Sequence, residues 1–165
     1  MSERTVTNLL DRYDELLAVS GRLDRTIGGP SVKNVLTPQG TRRTVYAHLD
    51  RLNFPGLFRT FDVPSPDATS PARDTTTVAT QALFFMNHPL LVECARSLLQ
   101  RPEIKAETDA TKRIALLYRL AYGRPPAPEE TLLAREYLDG MKGTATAWEQ
   151  YAQALFLANE FIFLD

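Results

Sequence analysis

Cysteine is almost absent from this sequence, since Cys94 is the single one among 165 residues. A lone thiol excludes a disulfide within the chain, a four-cysteine zinc site and a haem attached through two cysteines. Cys94 lies at helical spacing among Leu91, Ala95 and Leu98, so we expect a small core residue rather than a nucleophile. We expect no cofactor in this chain.

Histidine is nearly as scarce. His48 and His88 are the only two, and they do not form the helical pair that metal sites use. A metal site would have to be assembled from distant loops, with help from Asp62, Asp67 or Asp74. We therefore expect no metal site and interpret both histidines as surface or capping residues.

Long apolar runs are also missing. No stretch of 18 or more apolar residues occurs, and the first residues lead into an amphipathic segment rather than an apolar signal-peptide core. These absences predict a chain with no membrane span and no export signal of its own.

Neither sign of charge is in clear excess, because 19 basic and 20 acidic residues leave a formal net charge of -1. Nucleic-acid-binding proteins carry a basic face, so this balance predicts no nucleic-acid partner. The arginine-rich segment over residues 42–74 contains nearly as many aspartates. It favours short-range ion pairs over an extended basic surface.

The residues that are present predict a single helical domain over 1–165. Apolar residues make up 44% of the chain and recur at steps of three and four in most segments, which is the period of an amphipathic helix. Prolines and glycines interrupt these segments repeatedly. We predict a mainly α, single-domain bundle of about five to seven helices with long irregular Pro- and Gly-rich loops.

In the first half, the spacing predicts a helix over residues 5–19 that ends at Gly21. Gly28 and Gly29 lie in a loop that we interpret as a tight structural turn, because the spacing of a phosphate-binding loop is missing. Residues 42–52 fit a helix with Val45 on its inner face, and they fit a strand almost as well. Residues 78–86 form the most apolar helix candidate, which we expect to lie at the centre of the bundle.

In the second half, the local signals are stronger. Asn87 or His88 caps a helix that has Pro89 first and runs to about Arg101, and Thr108 or Asp109 caps the next helix, which ends before Gly123. Pro128 begins the following helix, which Leu133, Tyr137 and Leu138 are predicted to line until Gly140. A last helix is predicted over residues 146–159, with an apolar face that includes Trp148, Tyr151, Ala152, Leu155 and Phe156.

Several phrases in this sequence resemble those of a known family: Ala18–Lys33, Arg42–Tyr46, Phe61–Pro64, Arg73–Thr77, Gln81–Leu83, Tyr122–Pro126 and Asn159–Phe161. In this order they resemble the C-terminal domain of the large planctomycete proteins called PSD1, a domain of unknown function also known as DUF1553. The resemblance covers most of the chain. The sequence departs from the family pattern at His88, where aspartate is common, and at Ala127, where threonine or serine is common.

The resemblance implies a larger protein around this domain. Such proteins are usually exported to the periplasm or cell envelope and joined to further upstream domains and a cytochrome c-like module, with a suggested link to polysaccharide breakdown. We therefore expect the chain to be a fragment of an exported multidomain protein. Its expected partners are the upstream domains, the cytochrome c-like module and a polysaccharide.

The candidate site is a polar cluster made by the family-like loops. Arg73 and Asp74 are placed to meet Arg42, Arg43 or Asp24, because arginine and carboxylate pairs tie irregular segments together well. The cluster would be either a structural tie or a ligand pocket with carboxylates for acid–base chemistry. We favour the structural tie, because loop backbone that becomes buried needs such hydrogen-bonding partners.

Two functional hypotheses follow. The leading one is a non-catalytic structural or interaction module of an exported multidomain protein, linked to polysaccharide use. The alternative is a carbohydrate-active enzyme, or part of one, with Asp62 and Asp74 as catalytic candidates beside Arg73. No serine or cysteine nucleophile motif is present, so acyl transfer has no support.

Overall fold

The computed structural model describes residues 9–33, 35, 37–48 and 88–162. Within these ranges the chain is mainly helical, which confirms the predicted fold class. Seven α-helices and one 3₁₀ turn are present there, and the only β-structure in the same ranges is two isolated bridges. The α-helices are α1 (Leu9–Val19), α2 (Pro89–Gln100), α3 (Pro102–Lys105), α4 (Ala110–Tyr122), α5 (Pro128–Gly140), α6 (Ala145–Leu157) and α7 (Asn159–Ile162), and the 3₁₀ turn is Thr44–Tyr46.

The first helix, α1, turns its apolar stripe into the core, with Tyr13, Leu16 and Leu17 almost fully buried. It ends as predicted at Gly21, whose φ of 77° lies in the left-handed region that glycine adopts without a steric penalty. Ser20 is buried and its hydroxyl donates to the Leu17 carbonyl (3.1 Å), which also accepts from the Arg22 and Leu23 amides just past the helix end. This end of α1 forms one wall of the cleft described below.

The second helix, α2, begins with the predicted cap. Pro89 is the first helical residue, and Nδ1 of His88 accepts a hydrogen bond from the Leu90 amide (3.2 Å). Histidine thus caps the helix as aspartate would at this position, since both side chains can accept a hydrogen bond from the free amides of the first turn. Only the neutral ring can accept at Nδ1, which makes the cap sensitive to pH.

Replacing His88 by asparagine should remove part of the acid sensitivity of the domain. Burial lowers the pKa of His88 in the folded protein below its unfolded value near 6.5. At a pH between these two pKa values, the unfolded chain binds a proton that the folded chain does not bind. The stability from this neutral cap is present above about pH 6.5 and is lost as the pH falls below it. Between about pH 7.5 and 5, we expect the free energy of unfolding of wild type to fall by about 1 kcal/mol more than that of His88→Asn. Urea unfolding at the two pH values measures this difference. Equal losses in the two proteins would contradict the capping role.

The core lies between α2 and α6, which form the most extensive helix pair among the described elements, and α1, α4 and α7 close around them. Cys94 is fully buried within this core, as expected. Burial lowers its acidity by raising the thiol pKa, so it stays a neutral core residue. The fully buried apolar side chains of the core, to which α3 and α5 also contribute, include Leu91, Leu98, Ile104, Ile114, Leu117, Leu138 and Phe156.

The helix ends of the second half follow their local signals closely. The Asp109 carboxylate caps α4 by accepting from the Lys112 amide (2.9 Å), and Gly123 with φ of 72° follows its last turn. Ala127 offers no side-chain cap to α5, but the Glu130 carboxylate accepts from the Ala127 amide (2.6 Å). These contacts confirm the predicted boundaries of both helices.

Arg124 fixes the turn between α4 and α5 to the end of the chain. Its guanidinium makes two hydrogen bonds to Glu130 (2.7 and 2.8 Å) and two to Glu160 (both 2.6 Å). These bonds from Arg124 are the main reason that the pKa of Glu130 falls to about 2. Because paired guanidinium and carboxylate groups have a preferred planar geometry, these bonds tie the turn to the start of α5 and to α7.

Several details of the prediction need correction. Leu133 and Tyr137 are predicted to line the inner face of α5, yet they are 66% and 40% exposed. Val45 is predicted on the inner face of a helix or strand over residues 42–52, yet it lies in the 3₁₀ turn and is 71% exposed.

The helix predicted over residues 146–159 is α6, which ends at Leu157. Ala158, with an extended ψ of 145°, separates it from α7, a further short helix that was not predicted. The short helix α3 was not predicted. The predicted central helix over residues 78–86 lies outside the described residues.

A membrane span was not predicted either. None of the helices in the described ranges has the length and apolar character needed to cross a bilayer.

Candidate functional site

Two loops that contain family-like phrases, residues 24–32 and 42–48, meet beside the end of α1. Asp24 forms an isolated parallel bridge with Arg42, and Val32 forms another with Ala47. The Asp24 amide donates to the Thr41 carbonyl (2.8 Å) and the His48 amide to the Val32 carbonyl (2.9 Å). Residues 24–32 and 42–48 therefore lie side by side, which brings together candidates that are well separated in the sequence.

Arg42 is held almost entirely by this loop pair. Its Nη1 lies 3.5 Å from the Asp24 carboxylate and donates to the Thr26 carbonyl (3.0 Å), while Nη2 donates to the Gly28 carbonyl (2.6 Å). The guanidinium also lies over the ring of Tyr46, 4.1 Å from its centroid. With these neighbours Arg42 ties the glycine turn to the second loop and has little capacity left for a ligand.

Asp24 is similarly occupied. Its Oδ1 accepts hydrogen bonds from the Thr26 hydroxyl (2.6 Å) and amide (2.9 Å). These bonds, and to a smaller extent Arg42, lower the pKa of the Asp24 carboxyl. A carboxylate stabilised in its ionised form is a weak proton donor at neutral pH, so the arrangement favours the structural tie over acid–base chemistry.

Arg43 does not join this cluster. Its Nε donates to Asp14 on α1 (3.1 Å), and the other oxygen of Asp14 accepts from the Thr44 amide (2.8 Å). Arg43 therefore anchors the 3₁₀ turn to α1. The remaining candidates Asp62, Arg73 and Asp74 lie outside the described residues, so their predicted part in the cluster stays a prediction.

Ser31 and His48 form a hydrogen bond that sequence reasoning missed. The Ser31 hydroxyl lies 3.2 Å from Nδ1 of His48, and both residues are exposed. A hydroxyl beside an imidazole is the first half of a nucleophile and base arrangement, which also needs an orienting acid and an oxyanion hole. Nothing in the sequence could have indicated the pair, because it depends on the bridge between Val32 and Ala47.

A second candidate site is a cleft on the other side of the α1 terminus. It has a volume of about 510 Å³ and lies between residues 20–22 and the face formed by α2 and the start of α3. Three guanidinium groups line it, those of Arg22, Arg96 and Arg101. Sequence reasoning assigned Arg22 to a family-like phrase but did not identify the cleft, because its walls come from segments about 70 residues apart.

The three arginines differ in how their charge is balanced. Arg96 donates to Glu149 (3.1 Å), and Arg101 donates to Glu103 (2.7 Å) and to the Val19 carbonyl at the end of α1 (2.9 Å). Arg22 instead donates to the Pro38 carbonyl and, at 3.8 Å, to Sγ of Cys94. Both acceptors of Arg22 are neutral.

A known family matches the part of the chain that contains both candidate sites. The sequence profile of PSD1, a protein of unknown function (DUF1553), matches residues 11–138. The chain belongs to the PSD1 family. The matched residues include both paired loops and all the residues that line the cleft, so this PSD1 domain carries both candidate sites within its family region.

Two other comparisons gave no match. Neither a curated protein nor a solved structure matched this PSD1 domain.

Proposed function

We propose that this PSD1 domain is a non-catalytic interaction module that docks a neighbouring protein domain through the outer face of α5. The observation that carries the proposal is an apolar strip made of Leu133, Tyr137 and Met141, which follow each other at intervals of four residues. Their exposed fractions are 66%, 40% and 43%. Residues at this spacing lie on one face of a helix.

The surroundings of the strip favour one kind of partner. Glu129 and Glu136 border it one turn before and one turn after Leu133, and neither makes an ion pair with another described residue. A surface with apolar side chains bordered by lysine or arginine would bury the strip and also neutralise these carboxylates. A second copy of the domain would bring the same acidic border against itself, which is unfavourable.

The loop geometry supports a non-catalytic role. Asp14 and Asp24, the described carboxylates nearest the predicted cluster, each accept hydrogen bonds from an amide and face an arginine. The alternative of a carbohydrate-active enzyme depends on Asp62 and Asp74, and it stays a prediction. Export, the upstream domains, the cytochrome c-like module and a link to polysaccharide use are expectations that come from the family resemblance, and a neighbouring domain is the partner that we favour.

The proposal can be tested with a helical peptide of about 18 residues that carries leucines on one face and lysines beside them. Fluorescence anisotropy should show binding, and a peptide with glutamate in place of lysine should bind at least about tenfold more weakly. Burial of one strip side chain contributes about 1 to 2 kcal/mol, so Leu133→Ser or Tyr137→Ser should weaken binding about tenfold or more.

Leu132→Ser is the matched control. Leu132 is 68% exposed on the same helix, but successive residues are rotated by about 100°, which places it off the strip. We expect this variant to bind like wild type. Equal binding of the two peptides, or equal effects of Leu132→Ser and Leu133→Ser, would count against the proposal. A dimer in light scattering that Tyr137→Ser dissociates would identify a second copy as the partner instead.

A further inference from the structure

The cleft beside the end of α1 has features that neither the predicted polar cluster nor the apolar strip on α5 explains. Its volume of about 510 Å³ falls within the range of small-molecule sites. Its lining carries three arginines and two glutamates, Glu93 and Glu103, and Glu149 outside the lining pairs with Arg96. The described carboxylates thus pair with Arg96 and Arg101 and not with Arg22, which is the cation on which a negatively charged ligand would bind.

Arg22 differs from the other two arginines of the cleft in the hydrogen bonds that it makes. A guanidinium has five N–H donors, and Arg22 uses one at Nη1 and one at Nη2 on neutral acceptors, so three remain. No carboxylate of the described residues pairs with it. The side chain is partly buried, and a partly buried charge without a counter-ion lowers stability unless a ligand supplies the opposite charge.

The cleft is also rigid enough to recognise a ligand. The bonds from Arg22 to Pro38 and Cys94 fix its side chain against the core, and Arg101 is fixed by the Val19 carbonyl and by Glu103. Arg101 therefore covers the C-terminal carbonyls of α1, whose partial negative charge would otherwise repel an anion. Nη2 of Arg101 makes none of these bonds and adds further donors to the cleft.

We propose that this cleft binds a small organic oxyanion, with Arg22 as its main charge partner and Arg101 as a second donor. A carboxylate, sulfate or phosphate group fits the planar fork of a guanidinium through two parallel hydrogen bonds. Ser97, Gln100 and Glu93 line the rest of the cleft and can bond hydroxyl groups on the same ligand. The inference is independent of the docking strip on α5.

Thermal unfolding of the domain in gluconate, sulfate and phosphate, against sodium chloride at equal ionic strength, tests this proposal and distinguishes the three oxyanions. At about ten times its dissociation constant, the oxyanion that fits should raise Tm by about 3 to 6 °C with a saturable dependence on concentration. Arg22→Gln should abolish this shift. Arg25→Gln is the matched control, because Arg25 is exposed three positions further along and should leave the shift unchanged.

A second measurement needs no variant. In ¹H–¹⁵N spectra of the wild-type protein, the Nε–Hε signal of Arg22 should move during the titration while that of Arg25 stays in place. An equal Tm shift in both variants would show a general salt effect and overturn the proposal. The absence of saturable binding by all three anions up to about 10 mM would overturn it as well.

Discussion

Alanine in place of Phe156 lowers the free energy of unfolding by about 3 to 5 kcal/mol, the largest loss that we expect from a single truncation in this domain. Phe156 is 1% exposed, and its ring centroid lies 5.1 Å from that of Phe161 on α7. It also faces Leu16 of α1 and Leu91 of α2 around a small cavity. Truncation would enlarge this cavity where four helices meet, and rigid helices cannot close it.

Urea unfolding followed by circular dichroism measures this loss. Phe156→Leu, which keeps most of the buried volume, should cost clearly less, and Leu133→Ala on the exposed face should change the free energy of unfolding by less than about 0.5 kcal/mol. If Phe156→Ala and Leu133→Ala had similar effects, the described packing of α6 against α1 and α2 would be wrong.

Alanine in place of Gly40 should also be severely destabilising, by about 3 kcal/mol. A Cβ at this position would collide with the carbonyl oxygen of Val35 and with the hydroxyl of Tyr13. The two colliding groups are hydrogen-bonded to each other, and the Tyr13 side chain is buried at 2% exposure. The substitution would thus overpack the site and break a buried hydrogen bond, and each effect costs about 1 to 3 kcal/mol.

Gly140 provides the control for this experiment. It is the last residue of α5, its φ is not positive, and an added Cβ would meet no atom within 4 Å. Gly140→Ala should therefore leave stability unchanged or raise it by up to about 1 kcal/mol, since alanine favours helix. A Tm for Gly40→Ala equal to that of Gly140→Ala would show that the loop at residue 40 can move away from α1.

Gly40 also shows why the loops matter to both candidate sites. The Tyr13 hydroxyl, the Val35 carbonyl and Gly40 fix one end of the loop against α1, and the Arg22 bond to Pro38 fixes the same loop beside the cleft. A change at Gly40 should therefore disturb Arg22 as well as stability. The cleft and the loop pair of Asp24 and Arg42 depend on the same segment.

Local signals in the sequence were sufficient to predict where these helices begin and end. His88 with Pro89, Asp109 and Gly123 each act on backbone groups within four residues, so their meaning does not depend on the rest of the fold. The family could be recognised for a similar reason, because its phrases are contiguous. The order and type of most of the described helices followed from this information.

The polar cluster could be predicted only in part. The sequence indicated that Asp24, Arg42 and Arg43 belong to loops that converge, but it could not choose among their partners. The fold pairs Arg42 with Asp24 and sends Arg43 to Asp14 on α1, because the bridge between Asp24 and Arg42 sets the register of the two loops. Ion pairs between irregular segments depend on that register, which leaves no periodic pattern in the sequence.

The sequence alone determined the helical class, the helix caps and the membership of the PSD1 family, because each of these depends on neighbours along the chain. Tertiary structure decided which apolar residues are exposed and which arginine of the cleft pairs with no carboxylate among the described residues. Leu133 has the same helical spacing as a core residue, and only the position of α4 and α6 leaves it in solvent. The cleft at Arg22 exists because α1 ends against α2 and α3, a contact between segments about 70 residues apart.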